Sequence, residues 1–217
     1  MIWHRGAIVA LLGFCACFAE ADPHLNSGHG LGDSEVAAFR GVEVSRGDDS
    51  VSFSARAESA WVQADGDGLA EAVDAVVEGD NARPPLAVES ERAQWELAEQ
   101  RVRFEGAVVA TRGTLELRCD VLEVRYRDPE HLENAIATGN VRVVDGERKA
   151  SGAKAELTVS TGELVLTGSP MIEEGANTMR GEQIVLFLDD DRLVCTGCKL
   201  VVQGDALKPG GGERGEP

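Results

Sequence analysis

The sequence has 217 residues and a formal net charge of -17, from 38 acidic side chains against 21 lysines and arginines. A surface of this charge repels nucleic acid and anionic membranes, so we expect no nucleic-acid partner. The length suits one domain built of repeats, or at most two small domains. Because no Ser/His/Asp arrangement, metal-ligand cluster or glycine-rich phosphate loop is present, the sequence predicts neither an enzyme nor a cofactor or metal site.

The first 21 residues have the layout of a secretory signal peptide. A positive charge at Arg5 precedes an apolar run over residues 7–18, and a small-x-small cleavage site follows at residues 19–21. This order predicts that the protein is exported and that the signal is cleaved before Asp22.

Two other interpretations of this segment stay open. A lipoprotein would be anchored through Cys15 or Cys17, but Phe14 fits poorly in the small-residue box that such a signal requires. An uncleaved membrane anchor would need ~20 apolar residues, and the run here is much shorter. We therefore expect a cleaved signal, with lipoprotein anchoring as the less favoured alternative.

Polar, glycine-rich segments flank the central part of the chain. Residues 22–38 are predicted to be a flexible linker and residues 204–217 a disordered tail, because segments of this composition bury too little apolar surface to fold. The folded domain is therefore predicted over residues 39–203. Its first part, residues 39–85, is less regular in sequence than the rest.

Four short phrases in the folded part nearly repeat one another. They are "EGAVVATR" at 105–112, "TGNVRVVD" at 138–145, "TGSPMIEE" at 167–174 and "TGCKLVVQ" at 196–203. Each carries a glycine at its second position, and the successive glycines are 33, 29 and 29 residues apart. A nearly fixed period of this length indicates a repeat architecture.

The segments between these glycines alternate between apolar and polar residues. In residues 112–126 one side of the chain is apolar as far as Cys119, the alternation slips by one residue after Asp120, and it resumes from Leu122. Alternation at period two is typical of half-buried strands, and a one-residue slip indicates a bulge or a corner. The same pattern recurs in residues 153–159, so we expect an all-β fold with little helix.

Three long phrases resemble the OstA-like (LptA-type) family, which contains the periplasmic bridge of lipopolysaccharide transport. They are "VRFEGAVVATRGTLELRCDVLEVRY", "AIATGNVRVVDGERKASGAKAELTVSTGELVLTGSPMI" and "NTMRGEQIVLFLDDDRLVCTG". The resemblance covers roughly residues 86–203. Residues 39–62 more faintly resemble the opening of the related LptC-type component.

The resemblance implies an open, twisted antiparallel β-jellyroll built from OstA-like repeats of about 29 residues. It also implies a periplasmic protein that carries lipopolysaccharide from the inner to the outer membrane, with acyl chains held in an apolar groove between β-sheets. The implied partners are lipopolysaccharide and the inner- and outer-membrane components of the same transport system. These components would join by edge-strand addition, and copies of the chain could associate head to tail.

Two sets of side chains are then candidates for contact with the lipid. Arginine suits phosphate, so a stretch with local charge +2 at residues 101–127 is the expected place for head-group contacts, although an ordinary solvated strand face remains the alternative. The candidate head-group contacts are Arg101, Arg103, Arg118 and Arg125. The candidate lipid-binding residues on the apolar face, which could equally be core, are Val102, Phe104, Leu115, Leu117, Leu122, Val124, Leu157, Leu164, Leu166, Ile184, Leu186 and Leu188.

The motif "CTGC" raises the question of a disulfide or a metal site. Zinc would require a second pair of ligands, which the scattered histidines do not supply. We therefore expect Cys195 and Cys198 to form a turn-closing disulfide or to pack as two thiols. Cys119 is left over when these two residues pair.

Two alternatives to a bridge protein stay open. An LptC-like, membrane-associated acceptor of the same system would share the fold. A structural β-repeat scaffold would have the same strands, a dry core and no lipid.

Overall fold

The computed structural model describes residues 37–47, 52–77, 84–128, 131–187 and 192–201. The predicted signal peptide, most of the predicted linker, the predicted tail and Leu188 lie outside these residues. The described part is all-β, which confirms the predicted fold class. It contains no helix with the length and apolar character that a membrane span requires.

Fourteen strands follow one another along the described chain, and each pairs only with antiparallel neighbours. They are β1 (Ala37–Gly47), β2 (Ser52–Val62), β3 (Gly68–Val77), β4 (Leu86–Glu96), β5 (Arg101–Arg112), β6 (Leu115–Asp128), β7 (His131–Asp145), β8 (Arg148–Thr158), β9 (Glu163–Thr167), β10 (Met171–Glu174), β11 (Asn177–Arg180), β12 (Gln183–Phe187), β13 (Arg192–Thr196) and β14 (Lys199–Val201).

The sheet runs in sequence order from β1 to β8 and then divides into two branches. The second half of β8 pairs with β9, which is followed by β12 and β13. The first half of β8 pairs with β10, which is followed by β11 and β14. The division shows that each long strand contributes to two half-sheets, as the predicted jellyroll requires.

The two half-sheets are defined by the register of the strands. Half-sheet I contains residues 37–40, 59–62, 68–71, 92–96, 101–105, 121–125, 134–138, 154–158, 163–167, 183–187 and 192–196. Half-sheet II contains residues 42–47, 52–57, 73–77, 86–89, 108–112, 115–119, 141–145, 148–152, 171–174, 177–180 and 199–201.

The repeated glycines form the corners at which the chain passes from half-sheet I to half-sheet II. Gly106, Gly139, Gly168 and Gly197 all have positive φ, between 64° and 79°. This backbone conformation is easily accessible to glycine and costly for other residues. The ladder between β5 and β6 is interrupted at the first of these corners and the ladder between β7 and β8 at the second. The repeat seen in the sequence is therefore a repeat of corners.

The slip in alternation after Asp120 is also a structural irregularity. The register between β6 and β7 shifts between Arg118 and Val121, which confirms the predicted bulge. Strand β1 begins at Ala37, two residues inside the segment that the sequence assigned to the linker.

The core lies between the two half-sheets, and its side chains change in size along the sheet. At the β2–β4 end the buried residues are mainly small: Ala55, Ala57, Ala60, Ala70, Ala75 and Ala93. Trp95 closes this end; its indole Nε1–H donates to the Gly66 carbonyl oxygen at 2.8 Å, and no space remains for a Cβ at Gly68. From β5 onward the core consists mainly of Val, Leu, Ile and Phe, so side chains that are on average larger separate the sheets there.

Candidate functional site

The candidate site is the inner face, which we define as the sides of half-sheets I and II that are turned toward each other. In half-sheet I, one row crosses the strands as Phe104, Leu122, Ala137, Ala155, Leu166 and Ile184. In half-sheet II, the corresponding row is Val88, Ala110, Leu117, Val143, Ala150 and Ile172. Both rows are apolar throughout, so the inner face is a continuous hydrophobic surface across the strands.

The described residues among those predicted to bind lipid lie on this inner face, on both of its walls. Leu115 and Leu117 belong to half-sheet II and the other described residues of the set to half-sheet I. The corner at Gly106 separates these two leucines from the inner residues of β5 that precede them, and the bulge after Arg118 separates them from those that follow on β6. These two and Leu164 are half-buried. Eight others are at most 8% exposed: Val102, Phe104, Leu122, Val124, Leu157, Leu166, Ile184 and Leu186.

A small cavity remains between the half-sheets near the β8 branch point. Its volume is about 20 Å³, and Leu164 and Leu186 face it from half-sheet I. From half-sheet II it is lined by Val143, Ala150 and Ile172, which the sequence analysis did not single out. The alternation of apolar and polar residues over 141–145 was a sequence signal for Val143. A volume of this size corresponds to about one water molecule, so the walls are in contact in this structure.

The end of half-sheet II away from the corners forms a charged rim to the apolar face. Arg112, Leu115, Asp145, Arg148 and Glu174 are direct cross-strand neighbours along this rim. Arg112 is buried, and Arg148 Nη2 lies 3.1 Å from Glu174 Oε1. The site therefore combines an apolar interior with a charged border.

The arginines predicted as head-group contacts lie on the outer faces, and each forms an ion pair with a glutamate. Three are in half-sheet I and Arg118 is in half-sheet II. The shortest contacts are Arg101 Nη2 to Glu96 Oε2 at 2.5 Å, Arg103 Nε to Glu105 Oε1 at 2.5 Å, Arg118 Nε to Glu116 Oε1 at 2.6 Å, and Arg125 Nε to Glu123 Oε1 at 3.2 Å.

These ion pairs stabilise the charged forms of their members. The hydrogen bond to Glu96 raises the pKa of Arg101. The hydrogen bond from Arg118 lowers the pKa of Glu116, and the same contact raises the pKa of Arg118. Solvent screens such exposed pairs, so their contribution to stability is small.

The cysteines take two different states. Cys195 and Cys198 form a disulfide that spans the last corner, with their Cα atoms 5.8 Å apart. Cys119 is a free, buried thiol, and burial raises its pKa to about 12, with the nearby Asp120 charge as a second cause. Among the described residues, no group of three or more His, Cys, Asp or Glu side chains is arranged to hold a metal ion.

The two edges of the sheet differ in their exposed side chains. One edge is β1, and the other consists of β13 in half-sheet I and β14 in half-sheet II. Within the described ranges, the large hydrophobic side chains that are exposed all lie on the second edge: Val194 at 46%, Leu200 at 57% and Val201 at 45%. An edge strand with exposed apolar side chains is suited to pairing with another strand.

Comparison with known proteins gives one family and one fold. Residues 87–192 match the family described as "LptA/(LptD N-terminal domain) LPS transport protein". The chain is similar in structure to LptH, the LptA homologous periplasmic component of the conserved lipopolysaccharide transport device from Pseudomonas aeruginosa, with a TM-score of 0.51. The two are 18% identical, and the similarity covers 56% of this chain and 96% of that chain. No curated protein matches the sequence.

Proposed function

We propose that this chain, whose residues 87–192 match the LptA/(LptD N-terminal domain) family of lipopolysaccharide transport proteins, is a periplasmic bridge between the inner and outer membranes. In this role the acyl chains of lipopolysaccharide lie between half-sheets I and II, and the saccharide lies outside. The single observation that carries the proposal is the continuous apolar inner face with a charged rim. This arrangement has the same division into apolar and polar parts as the lipid.

Acyl chains can enter only if the half-sheets separate at the rim. The backbone ladders run within each half-sheet, so this separation breaks side-chain packing and leaves the ladder hydrogen bonds in place. Inserted acyl chains would replace the lost contacts, because each methylene removed from water contributes about 0.8 kcal/mol. We expect the acyl chains to enter at the β8 branch, where the large side chains of Leu164 and Leu186 lie beside the small cavity.

The arginines predicted to contact the lipid head group are already engaged in ion pairs. Arg101, Arg103, Arg118 and Arg125 already donate to glutamates, so a lipid phosphate would have to displace a carboxylate from each of them. These four side chains are consequently weaker candidates for the first contact with a phosphate than cations that have no acidic neighbour.

The edges of the sheet support association with a further strand. We propose that β1 of one copy, or the edge strand of another transport component, adds to β13 and β14. Such addition would cover Val194, Leu200 and Val201 and would continue the apolar inner face from one molecule to the next. Head-to-tail association of this kind would extend the path of the lipid beyond a single domain.

Site-specific photocrosslinking in cells that make lipopolysaccharide tests the conduit. The photoreactive residue is placed at Leu117 or Leu164, which are half-buried on the inner face, and at Glu116 or Val165 as outward-facing neighbours. We expect adducts with lipopolysaccharide at the two inner positions and none at the outer controls. Far-UV circular dichroism of each purified variant verifies that it is folded.

The same experiment decides between the bridge and a second candidate. The close packing of the inner face, with eight candidate residues at most 8% exposed, is also what a dry-core β-repeat scaffold would have. Folded, exported variants without adducts at either inner position would contradict the bridge and favour the scaffold. Equal adducts at inner and outer positions would contradict a conduit between the half-sheets.

A further inference from the structure

A cleft of about 570 Å³ lies on the outer face of half-sheet II, on the opposite side of the sheet from the small inner cavity. Its lining includes outward-facing residues of β7, β8 and β10, and it extends to the corner at Gly168. The polar and charged side chains along it include Asn140, Arg142, Lys149, Ser151 and Glu173. We call this region the basic cleft.

The cross-strand register extends the basic cleft to the edge of the sheet. Arg142 on β7 and Ser151 on β8 are direct neighbours, and the row continues through Met171 on β10. Arg180 on β11 and Lys199 on β14 complete it. Directly opposed residues lie about 5 Å apart, so cationic groups from several strands converge on one outer surface.

Charges in the basic cleft are not neutralised in the way seen elsewhere on the protein. Arg142, Lys149 and Lys199 have no carboxylate within ion-pair distance among the described residues. The Nε of Arg180 donates to the Met171 sulfur at 3.2 Å rather than to an acid. Glu173 is the direct cross-strand neighbour of Lys149, and the Asp120 carboxylate accepts from Asn140 Nδ2 at 2.9 Å. These two acids stand against four cations, two in the lining and two in the row that extends it to the sheet edge.

The contrast with the outer face of half-sheet I is informative. There, arginines such as Arg101, Arg103 and Arg125 alternate with glutamates and are paired with them. In a protein with a net charge of -17, a cluster of four cations with two acids is a local exception. Because the long-range field of the protein repels anions, an anionic ligand would need such a concentrated site to bind.

We infer that the basic cleft binds a phosphate-bearing saccharide. The guanidinium groups of Arg142 and Arg180 can each donate two parallel hydrogen bonds to a phosphate. The hydroxyl of Ser151 can donate to or accept from a sugar hydroxyl, and the amide oxygen of Asn140 can accept from one, since its Nδ2 already donates to Asp120. The identification of this ligand as the saccharide of the carried lipid rests on the proposed function. The match between the cations of the cleft and a phosphate group does not.

The position of the basic cleft is compatible with a lipid whose acyl chains lie between the half-sheets. Val143, Ala150 and the inner cavity lie on one side of strands β7 and β8, and Arg142 and Lys149 lie on the other. The two strands are joined by a two-residue turn at 146–147, which forms part of the rim. With a rise of about 3.3 Å per residue, Lys149 lies roughly 7 Å from this turn, so a saccharide that crosses the rim can reach it.

Calorimetric titration of the folded protein with deacylated lipopolysaccharide tests this assignment. This probe retains the sugars and phosphates and has no acyl chains, so it does not depend on the inner face. The variant Arg142→Gln with Arg180→Gln removes two cations from the basic cleft. The matched control, Arg56→Gln with Arg127→Gln, makes the same change in net charge at two exposed arginines outside the basic cleft, which pair with Glu43 and Glu133.

We expect the unaltered protein to bind this probe, with a loss of affinity of about tenfold or more in the cleft variant and little change in the control. Removal of the phosphates from the probe should abolish binding. Equal loss in both variants, or no binding to the unaltered protein, would overturn the assignment. Inorganic phosphate that binds as tightly as the saccharide would also overturn it, by assigning the cleft to free phosphate.

The outcome is separable from that of the proposed function. Adducts at Leu117 and Leu164 together with no binding of the deacylated probe would retain the lipid conduit and reject the saccharide site. Binding of the probe without adducts at these positions would support a site for phosphate-bearing saccharides in the basic cleft. It would also show that the ligand does not come from a lipid carried between the half-sheets.

Discussion

Gly139 at the corner of β7 lies directly against the side chain of Asp120 on β6. A Cβ at position 139 would clash with this carboxylate, since it would lie 2.7 Å from Asp120 Cγ. The Oδ2 atom of the same carboxylate accepts a hydrogen bond from Asn140 Nδ2 at 2.9 Å. The φ of Gly139 is also positive, at 75°. This corner therefore requires glycine for two independent reasons, one in its backbone conformation and one in the space beside it.

Substitution of Gly139 by alanine should destabilise the fold by about 2–3 kcal/mol. A left-handed backbone costs a residue with a Cβ about 1–2 kcal/mol, and displacement of Asp120 weakens a hydrogen bond worth about 1 kcal/mol. The free energy of unfolding in urea measures the effect. Gly146→Ala is the matched control, because Gly146 has φ of 60° and an added methyl group there would have no atom within 4 Å. The control should lose only the backbone contribution; an equal loss in both variants would show that space beside Gly139 is unimportant.

The buried thiol of Cys119 should make stability fall as the pH rises above about 9. Its pKa is raised from 9.0 to about 12 in the folded protein. Between these values the unfolded chain loses the proton and the folded protein keeps it, so the unfolded state is favoured as pH rises. The slope contributed by this one group is at most about 1.4 kcal/mol per pH unit.

Comparison with Cys119→Ala isolates this effect. The difference in unfolding free energy between the two proteins should change between pH 9 and pH 11 and stay constant from pH 6 to pH 8. A difference that is independent of pH over the whole range would show that the thiol titrates in the folded protein as it does in the unfolded chain.

Loss of the disulfide should lower the stability of the last corner by about 2 kcal/mol. This magnitude follows from the entropy of closing a loop of about four residues in the unfolded chain. The double variant Cys195→Ser with Cys198→Ser tests it by urea unfolding in the absence of a reductant. Addition of a reductant should lower the stability of the parent protein by a similar amount and leave the variant unchanged. A parent protein insensitive to reductant would contradict a disulfide in this position.

The charges along the outer face of half-sheet II should favour head-to-tail association. Glu43 on β1 and Lys199 on β14 occupy opposite ends of the same cross-strand row. Head-to-tail contact brings these unlike charges together, whereas contact between two β14 edges brings like charges together. Because a surface pair contributes up to about 1 kcal/mol, Lys199→Glu should weaken self-association by about fivefold in sedimentation velocity.

Restoration of the charge pair provides the control for this prediction. Glu43→Lys combined with Lys199→Glu should return the association constant to near its original value. A double variant that associates as weakly as Lys199→Glu alone would show that the two residues do not face each other in the assembly.

Much of the fold could be predicted from the sequence, because its determinants are local. Alternation at period two specifies strands, and the slip after Asp120 specifies a bulge, since each depends only on neighbouring residues. The repeated glycines, among them Gly139 and Gly168, specify the corners, because a positive φ restricts which residue can occupy the position. The inner-face side chains of half-sheet I follow from the same alternation.

The tertiary structure decided how these side chains are combined. The sequence placed Leu117 and Leu166 in one apolar set; the corners between them, the first of which is the bulge after Arg118, place them on opposite walls. The pairing of Arg103 with Glu105 is local, because residues two apart lie on the same face of a strand. That Arg142, Arg180 and Lys199 share one outer row depends instead on the register between strands, which local patterns do not specify.

The sequence by itself thus determined the strands, the corners and the apolar side of each strand, because these features arise from backbone conformation and from the alternation of side chains. Only the tertiary structure decided that the inner face is closely packed and that cations without a carboxylate partner among the described residues gather on the outer face of half-sheet II. Burial is a property of opposed surfaces, and the gathering of cations from different strands is a property of strand register; both exist only after the strands have paired into the two half-sheets.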